Sequence, residues 1–299
     1  MPEVMIQLPK FIAAQYPFTR RMVDTTHGRV HVATQGNPEH VTALMLHGNP
    51  TWSFLWRKVI SGLETSDVYC VAPDLLGFGL SDKPRNLGFH TLAIHIETIT
   101  EVVQALGLSH VILVGQDWGG PILTGVAANL PERILGAVFG NTAVVLPNTP
   151  KLTAFHRLGN LPVVSNLLFQ LFAFPLPYLN RVQGDRWSIT GKVRLAYFWP
   201  FRHIVDRAGP LGLTRMVPGH ADHPSLPALR RGQTWLESYL GPVHLVWGKN
   251  DPILGNALKR HKLKLPNAYV TETSAGHFLQ EEVPFDMVNA VRDVLVRAK

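Results

Sequence analysis

Five residues, Gly115-Gln116-Asp117-Trp118-Gly119, place a carboxylate between two glycines. They follow the apolar run Val111-Ile112-Leu113-Val114 and precede a helix-like stretch from Pro121 to Leu130. A sharp strand-to-helix turn lifts its central side chain above the carboxyl edge of a sheet. It needs small flanking residues because the backbone packs tightly there. Asp117 is therefore a candidate nucleophile. A carboxylate with an ordinary pKa of about 3.9 already carries its charge near neutral pH and attacks without help from a base. The same five residues also suit a plain helix cap at Asp117, so the reading depends on partners elsewhere in the chain.

Two such partners follow. Asp251, in Gly248-Lys249-Asn250-Asp251, lies just past an apolar run ending at Trp247. His277, in Ser274-Ala275-Gly276-His277-Phe278, lies just past a run ending near Glu272. Taken singly, Asp251 is an Asp-Pro turn and His277 is one of fourteen histidines. Taken together they supply acid and base after the nucleophile, in the order of the α/β-hydrolase fold, each just beyond a strand's carboxyl end. The segment His47-Gly48-Asn49-Pro50-Thr51-Trp52 ends an earlier strand. A His-Gly-x-Pro segment there commonly provides an oxyanion amide from the residue before the proline, here Asn49. The amide of Trp118 provides the second. His47 and Trp52 read as structural.

The elements that must position these groups are visible in the periodicity. Strands are predicted at Arg29–Thr34, Val41–Leu46, Val68–Pro73, Val111–Val114, Ile134–Phe139, Val243–Trp247 and Tyr269–Glu272. Leu92, Ile96, Ile99, Val103 and Leu106 recur at helical spacing, and Gly107 closes that helix. Further helices are expected over 121–130, 226–239 and 284–297. Such alternation predicts an α/β fold with a mostly parallel sheet covered on both faces. From about 142 to 219 only helix-like stretches and prolines occur. The chain therefore reads as a core of residues 1–141 and 220–299, interrupted by a helical cap at 142–219.

Composition narrows the alternatives. Of 299 residues 46% are hydrophobic and 16% charged, enough for a large core and too apolar for disorder. The net charge of +7 is spread without a basic run or interleaved aromatics, which argues against nucleic acid. Lys259-Arg260-His261-Lys262 reads as a solvated helix face. Cys70 is the single cysteine, so no internal disulfide forms, and its apolar surroundings predict an inert core thiol. The apolar stretch Leu161–Leu179 is broken by Pro162, Pro175 and Pro177, which argues against a membrane span. No secretory signal is seen in the first twenty residues, and a soluble, cytoplasmic protein is expected. The pairs His27/His31 and His220/His223 lack a convincing ligand set, so no metal or organic cofactor is expected.

Across nearly its whole length the chain closely resembles the haloalkane dehalogenases. The specific parts are His47-Gly48-Asn49-Pro50-Thr51-Trp52 and Gly115-Gln116-Asp117-Trp118-Gly119-Gly120. Pro73-Asp74 and Gly77-Phe78-Gly79-Leu80-Ser81-Asp82 also match, but related hydrolases share them, and they read as structural. The resemblance implies that the side chains of Trp118 and Asn49 hold the leaving halide. Some members instead use a cap tryptophan, and others place a Glu acid after the strand preceding the cap. The matching position here is Asn141, an amide, which leaves Asp251 as the acid. The resemblance thus implies hydrolysis of a small apolar haloalkane to alcohol, halide and a proton through an ester on Asp117.

Phe169, Leu171, Phe172, Phe174, Tyr197, Phe198 and Trp199 of the cap are candidates for an apolar pocket, though each also suits the cap's own core. The apolar cap is a candidate surface for homo-oligomer contacts. The nearest rival is an epoxide hydrolase, for which Tyr178 and Tyr197 are available proton donors. A fluoroacetate-type enzyme would want cations where Trp118 stands. A non-catalytic receptor on the same fold is the reading of a different class, and an intact triad argues against it.

Overall fold

A computed structural model describes residues 6–149 and 152–298. Residues 1–5 and 299 of the predicted core, and 150 and 151 of the predicted cap, lie outside the described residues.

Eight strands form one sheet: β1 (Thr19–Thr25), β2 (Gly28–Gln35), β3 (Val41–Leu46), β4 (Val68–Pro73), β5 (Val111–Asp117), β6 (Ile134–Thr142), β7 (Val243–Gly248) and β8 (Tyr269–Thr273). Their order in space is β1-β2-β4-β3-β5-β6-β7-β8. β1 and β2, and β2 and β4, pair antiparallel, and every other pairing is parallel. Val111 to Val114 are fully buried because helices cover both faces of the central strands. The helices Leu92–Ala105 and Gly119–Asn129 pack on each other, and Pro284–Arg297 lies against β6 and β7. Gly107 follows the first of them at φ +64°, the left-handed conformation that ends a helix most readily at glycine.

Seven of the strands and these helices fall where the periodicity predicts. β1 is the exception. It is an edge strand with a single buried residue, Val23, so its sequence carries no apolar alternation to read. From Ala143 to Ser225 the described residues form short helices and turns, with no strand. β6 keeps Thr142 in the sheet, at the position predicted to begin the cap. The helix Leu258–Lys264 is only partly a solvated face. Lys259 and Lys262 are exposed, whereas His261 is fully buried against the Trp247 ring, 4.9 Å between centroids. Burial lowers the His261 pKa to about 4. Cys70 is buried in β4 and its thiol is pushed up to about 12, which keeps it protonated and unreactive.

Among the described residues no helix is long and apolar enough to cross a membrane. None of their His, Cys, Asp and Glu side chains form a cluster able to hold a metal ion.

Candidate active site

Parallel strands present their carboxyl ends on one edge, and β3, β5, β6, β7 and β8 are consecutive neighbours. Asn49, Asp117, Asn141, Asp251 and His277 lie at or just beyond the ends of those five strands, in that order. Topology therefore gathers residues that are far apart in sequence.

Asp117 sits at φ +50°, a strained conformation for a side chain other than glycine. The Thr142 hydroxyl donates to the Asp117 carbonyl at 2.6 Å and holds the turn from β6. A Cβ at Gly119 would collide with the Leu46 carbonyl, so the helix can approach β3 this closely only with glycine there. The Asn49 N–H donates to Asp117 Oδ1 at 2.7 Å, and the Trp118 N–H bonds the same carboxylate. The other oxygen, Oδ2, lies 3.6 Å from His277 Nε2. The two carboxylate oxygens are thus differentiated: Oδ1 faces the Asn49 amide, and Oδ2 faces the imidazole.

His277 is buried, and its Nδ1 bonds Asp251 Oδ2 at 2.8 Å. Asp251 Oδ1 accepts from the Ile253 N–H at 2.7 Å. Asn141, whose part in the site the sequence left open, donates from Nδ2 to Asp251 Oδ2 at 2.7 Å and to the Gly248 carbonyl at 3.1 Å. Its Oδ1 accepts from the Gly248 N–H at 2.7 Å. It is an amide clamp that orients the acid. Gln116, which sequence reasoning passed over, donates to the His277 carbonyl at 3.1 Å and reaches Nε2 at 3.3 Å. Its place inside the five-residue elbow was the available signal. The His277 loop is also tied to the cap. The His277 N–H donates to the Val182 carbonyl at 2.8 Å. The Gln183 amide accepts from the Phe278 N–H at 2.8 Å and donates to the Phe278 carbonyl at 3.2 Å.

Burial opposes charge at all three titratable groups, and their mutual attraction answers it. Desolvation raises the Asp117 pKa above its ordinary value, and the imidazole and the two amides only partly offset this. Desolvation alone would lower His277, but Asp251 and then Asp117 outweigh it, and the imidazole is held above the ordinary 6.5. Desolvation would raise Asp251, yet His277, Asn141 and the Ile253 amide bring it below the usual carboxylate range.

The Asn49 side chain is engaged elsewhere. Its Nδ2 donates to the Pro210 carbonyl and to Thr214 Oγ1, both at 3.0 Å, on the cap helix Ala208–Arg215. Its Oδ1 is buried without a partner. Trp118 is 8% exposed and lines a cavity of about 820 Å³ together with Asp117. None of the seven cap residues proposed from sequence lines this cavity. Phe169 packs with Phe155 and Phe174, and the buried Tyr197 donates to Glu281 at 2.6 Å. Leu171 and Phe172 are exposed. The apolar lining comes instead from the two ends of the segment 142–219, at Leu146 and Val217, and from the following helix, at Leu226 and Leu229. Apolar content alone could not distinguish the two sets.

His47 and Trp52 serve the scaffold. His47 bonds the Gly48 carbonyl and accepts from the Leu75 N–H, and Trp52 donates to the Ala196 carbonyl at 3.1 Å. The buried Asp74 accepts from the Ser53 and Leu80 amides and from His31. His31 faces Asp74 and His27 faces Glu97.

Residues 43–284 match the family model for the α/β hydrolase fold. Haloalkane dehalogenase 2 of Mycobacterium bovis is 33% identical over 288 residues, 92% of this chain and 94% of that relative. Haloalkane dehalogenase 1 of the same organism is 33% identical over 276 residues, 89% of each chain. The crystal structure of haloalkane dehalogenase DbeA from Bradyrhizobium elkani superimposes with a TM-score of 0.84 at 22% identity, covering 94% of this chain and 98% of that one, and so shares the fold. With a family model spanning most of its length and relatives at 33% identity over about nine-tenths of it, the chain belongs to the α/β-hydrolase fold family and, within it, to the haloalkane dehalogenases.

Proposed function

We propose that the chain hydrolyses haloalkanes to alcohol, halide and a proton, with Asp117 as nucleophile, His277 as base and Asp251 as the acid that orients it. The observation that carries this reading is the differentiated Asp117 carboxylate. Oδ2 attacks the halogen-bearing carbon in line; an O–C bond forms as the carbon–halogen bond breaks, leaving an alkyl ester. Water then attacks the carbonyl carbon, giving its proton to His277 Nε2. Oδ1 becomes the oxyanion, and the Asn49 and Trp118 amides that already face the carboxylate stabilise it.

The leaving halide is held by the side chains of Trp118 and Asn49, neutral donors that require no permanent countercharge. Asn49 has one N–H for it once the halide displaces the Thr214 hydroxyl from Nδ2. The segment 142–219 acts as a lid over this chemistry. The exposed Leu167, Leu171 and Phe172 on it support self-association through the cap.

Purified protein is expected to release bromide from 1,2-dibromoethane and 1-bromobutane and to leave 1,2-epoxybutane intact. Diol formation without bromide would replace this reading with an epoxide hydrolase. The commitment of Tyr197 to Glu281 argues against that outcome, because its hydroxyl is not available to protonate an epoxide.

The two steps should also separate with pH. Ester formation neutralises Asp117, so His277 loses one of the two charges holding it up, which frees the base when it is needed. Hydrolysis needs the neutral imidazole and fails as pH falls through its pKa; attack fails only when Asp117 itself is protonated. Rapid-quench measurements should therefore show separate acid limits, that for hydrolysis lying above that for the halide burst. A single shared limb would contradict the assignment.

A further inference from the structure

The cavity beside Asp117 is larger than a two- to four-carbon haloalkane needs and falls in the range that holds drug-sized ligands. Its lining joins two chemistries. Pro121, Ala143, Leu146 and Val217 are apolar, whereas the helices Leu226–Ser238 and Leu258–Lys264 contribute Arg230, Gln233, Glu237, Arg260 and Lys264. Arg230, Glu237 and Lys264 are exposed, which marks their side as the mouth.

The charges there do not balance. Glu237 accepts from Gln233 at 2.8 Å and pairs with Lys264 at 3.5 Å, so those two ionic groups answer each other. Arg230 and Arg260 have no carboxylate within 4.0 Å among the described residues. Arg260 donates from Nε to the Val145 carbonyl at 2.6 Å, which fixes its guanidinium in the cavity wall. Burial disfavours its cationic form, a cost that a bound anion would offset. His156 adds no charge near neutral pH, because burial lowers its pKa to about 4.

We infer that the mouth of this cavity binds an anionic group at the far end of a haloalkyl chain, with Arg230 and Arg260 as its partners. The preferred substrates are then ω-haloalkanoates long enough to span the apolar wall. The inference rests on the dehalogenase reading of Asp117. It carries a signature that general affinity for anions lacks, because the cavity is cationic at its mouth and anionic at its floor. A short haloacid brings its carboxylate close to Asp117 and is repelled. A long one reaches the guanidinium groups and is held.

The test compares kcat/KM for bromide release from ω-bromoalkanoates of three to ten carbons with that from ω-bromoalkanols of equal length. At low ionic strength the acid-to-alcohol ratio is expected below one for the shortest pair. It should rise to about five- to tenfold for the longest, the scale of partly exposed ion pairs. Added non-halide salt should pull the long-chain ratio toward one, since exposed charges are screened beyond about 10 Å at 0.1 M. The R230Q/R260Q variant should do the same, and each single variant should lower it partway. Each ratio is measured on one enzyme sample, so partial loss of folded protein does not alter it. A ratio below one at every length, or a high ratio that R230Q/R260Q leaves intact, overturns the inference while bromide release from the alcohols upholds the dehalogenase. Absence of bromide from both series overturns the dehalogenase reading and this inference with it.

Discussion

His277→Phe should release about one equivalent of bromide per active site and then stop, with Asp117 heavier by one alkyl group. The first step uses only the charged carboxylate and the halide donors, and the phenyl ring leaves both in place. The second step loses the proposed base, His277, and general-base catalysis is worth about a hundred- to ten-thousand-fold. Steady-state turnover should fall by at least that much while the burst survives. Asp117→Ala should show neither burst nor ester, which separates the nucleophile from the base. Intact-protein mass spectrometry after incubation with 1,2-dibromoethane reads both outcomes. Continued turnover by the phenylalanine variant, or a burst from the alanine variant, would remove these two roles.

Arg57→Met should cost about 3–5 kcal/mol of stability, the range for leaving one member of a buried ion pair alone. Arg57 and Glu281 are both buried and meet through two bonds, 2.6 and 2.9 Å. Lys58 and the Tyr197 hydroxyl complete the shell around the carboxylate. Burial acts to raise the Glu281 pKa, but Arg57 and Lys58 bring it below the ordinary value. In the parent protein its stabilisation is therefore present above the unfolded pKa and lost as pH falls through the lower folded one. Without Arg57 the balance reverses: burial raises the folded pKa, and the deficit grows as pH rises. Thermal unfolding should show a fall on the order of 10 °C at neutral pH. Adding Glu281→Gln should recover part of it. A single variant as stable as the parent would show that the pair is not an important constraint on the fold.

The sequence was most legible where function and periodicity coincide. Asp117, Asp251 and His277 could be found because each follows an apolar run, and the sheet then brought their side chains within hydrogen-bonding range or nearly so. Asn141 was harder. It was noticed as an amide where an acid would stand, but its donation to Asp251 depends on the neighbouring ends of β6 and β7, a pairing that linear sequence does not display. The choice between pocket and cap core was left open for a related reason. Phe169 and Tyr197 are apolar in composition, yet their directions are set by how short, proline-broken helices pack, and they face the cap and Glu281. Arg260 reads as one cation among several on a surface helix until Val145 is seen holding it inward.

The bonds between Val182–Gln183 and His277–Phe278 bear on how such enzymes can be recombined. The segment 142–219, exchanged between relatives as an independent cassette, would carry away the backbone partner of His277. A chimaera cut between Gln183 and His277 would inherit a new pocket wall but also a loosened His277, and on the roles proposed above its defect would lie in hydrolysis while substrate selection followed the donor. Crossovers placed after Phe278, so that lid and histidine loop travel together, keep the seam within one parent.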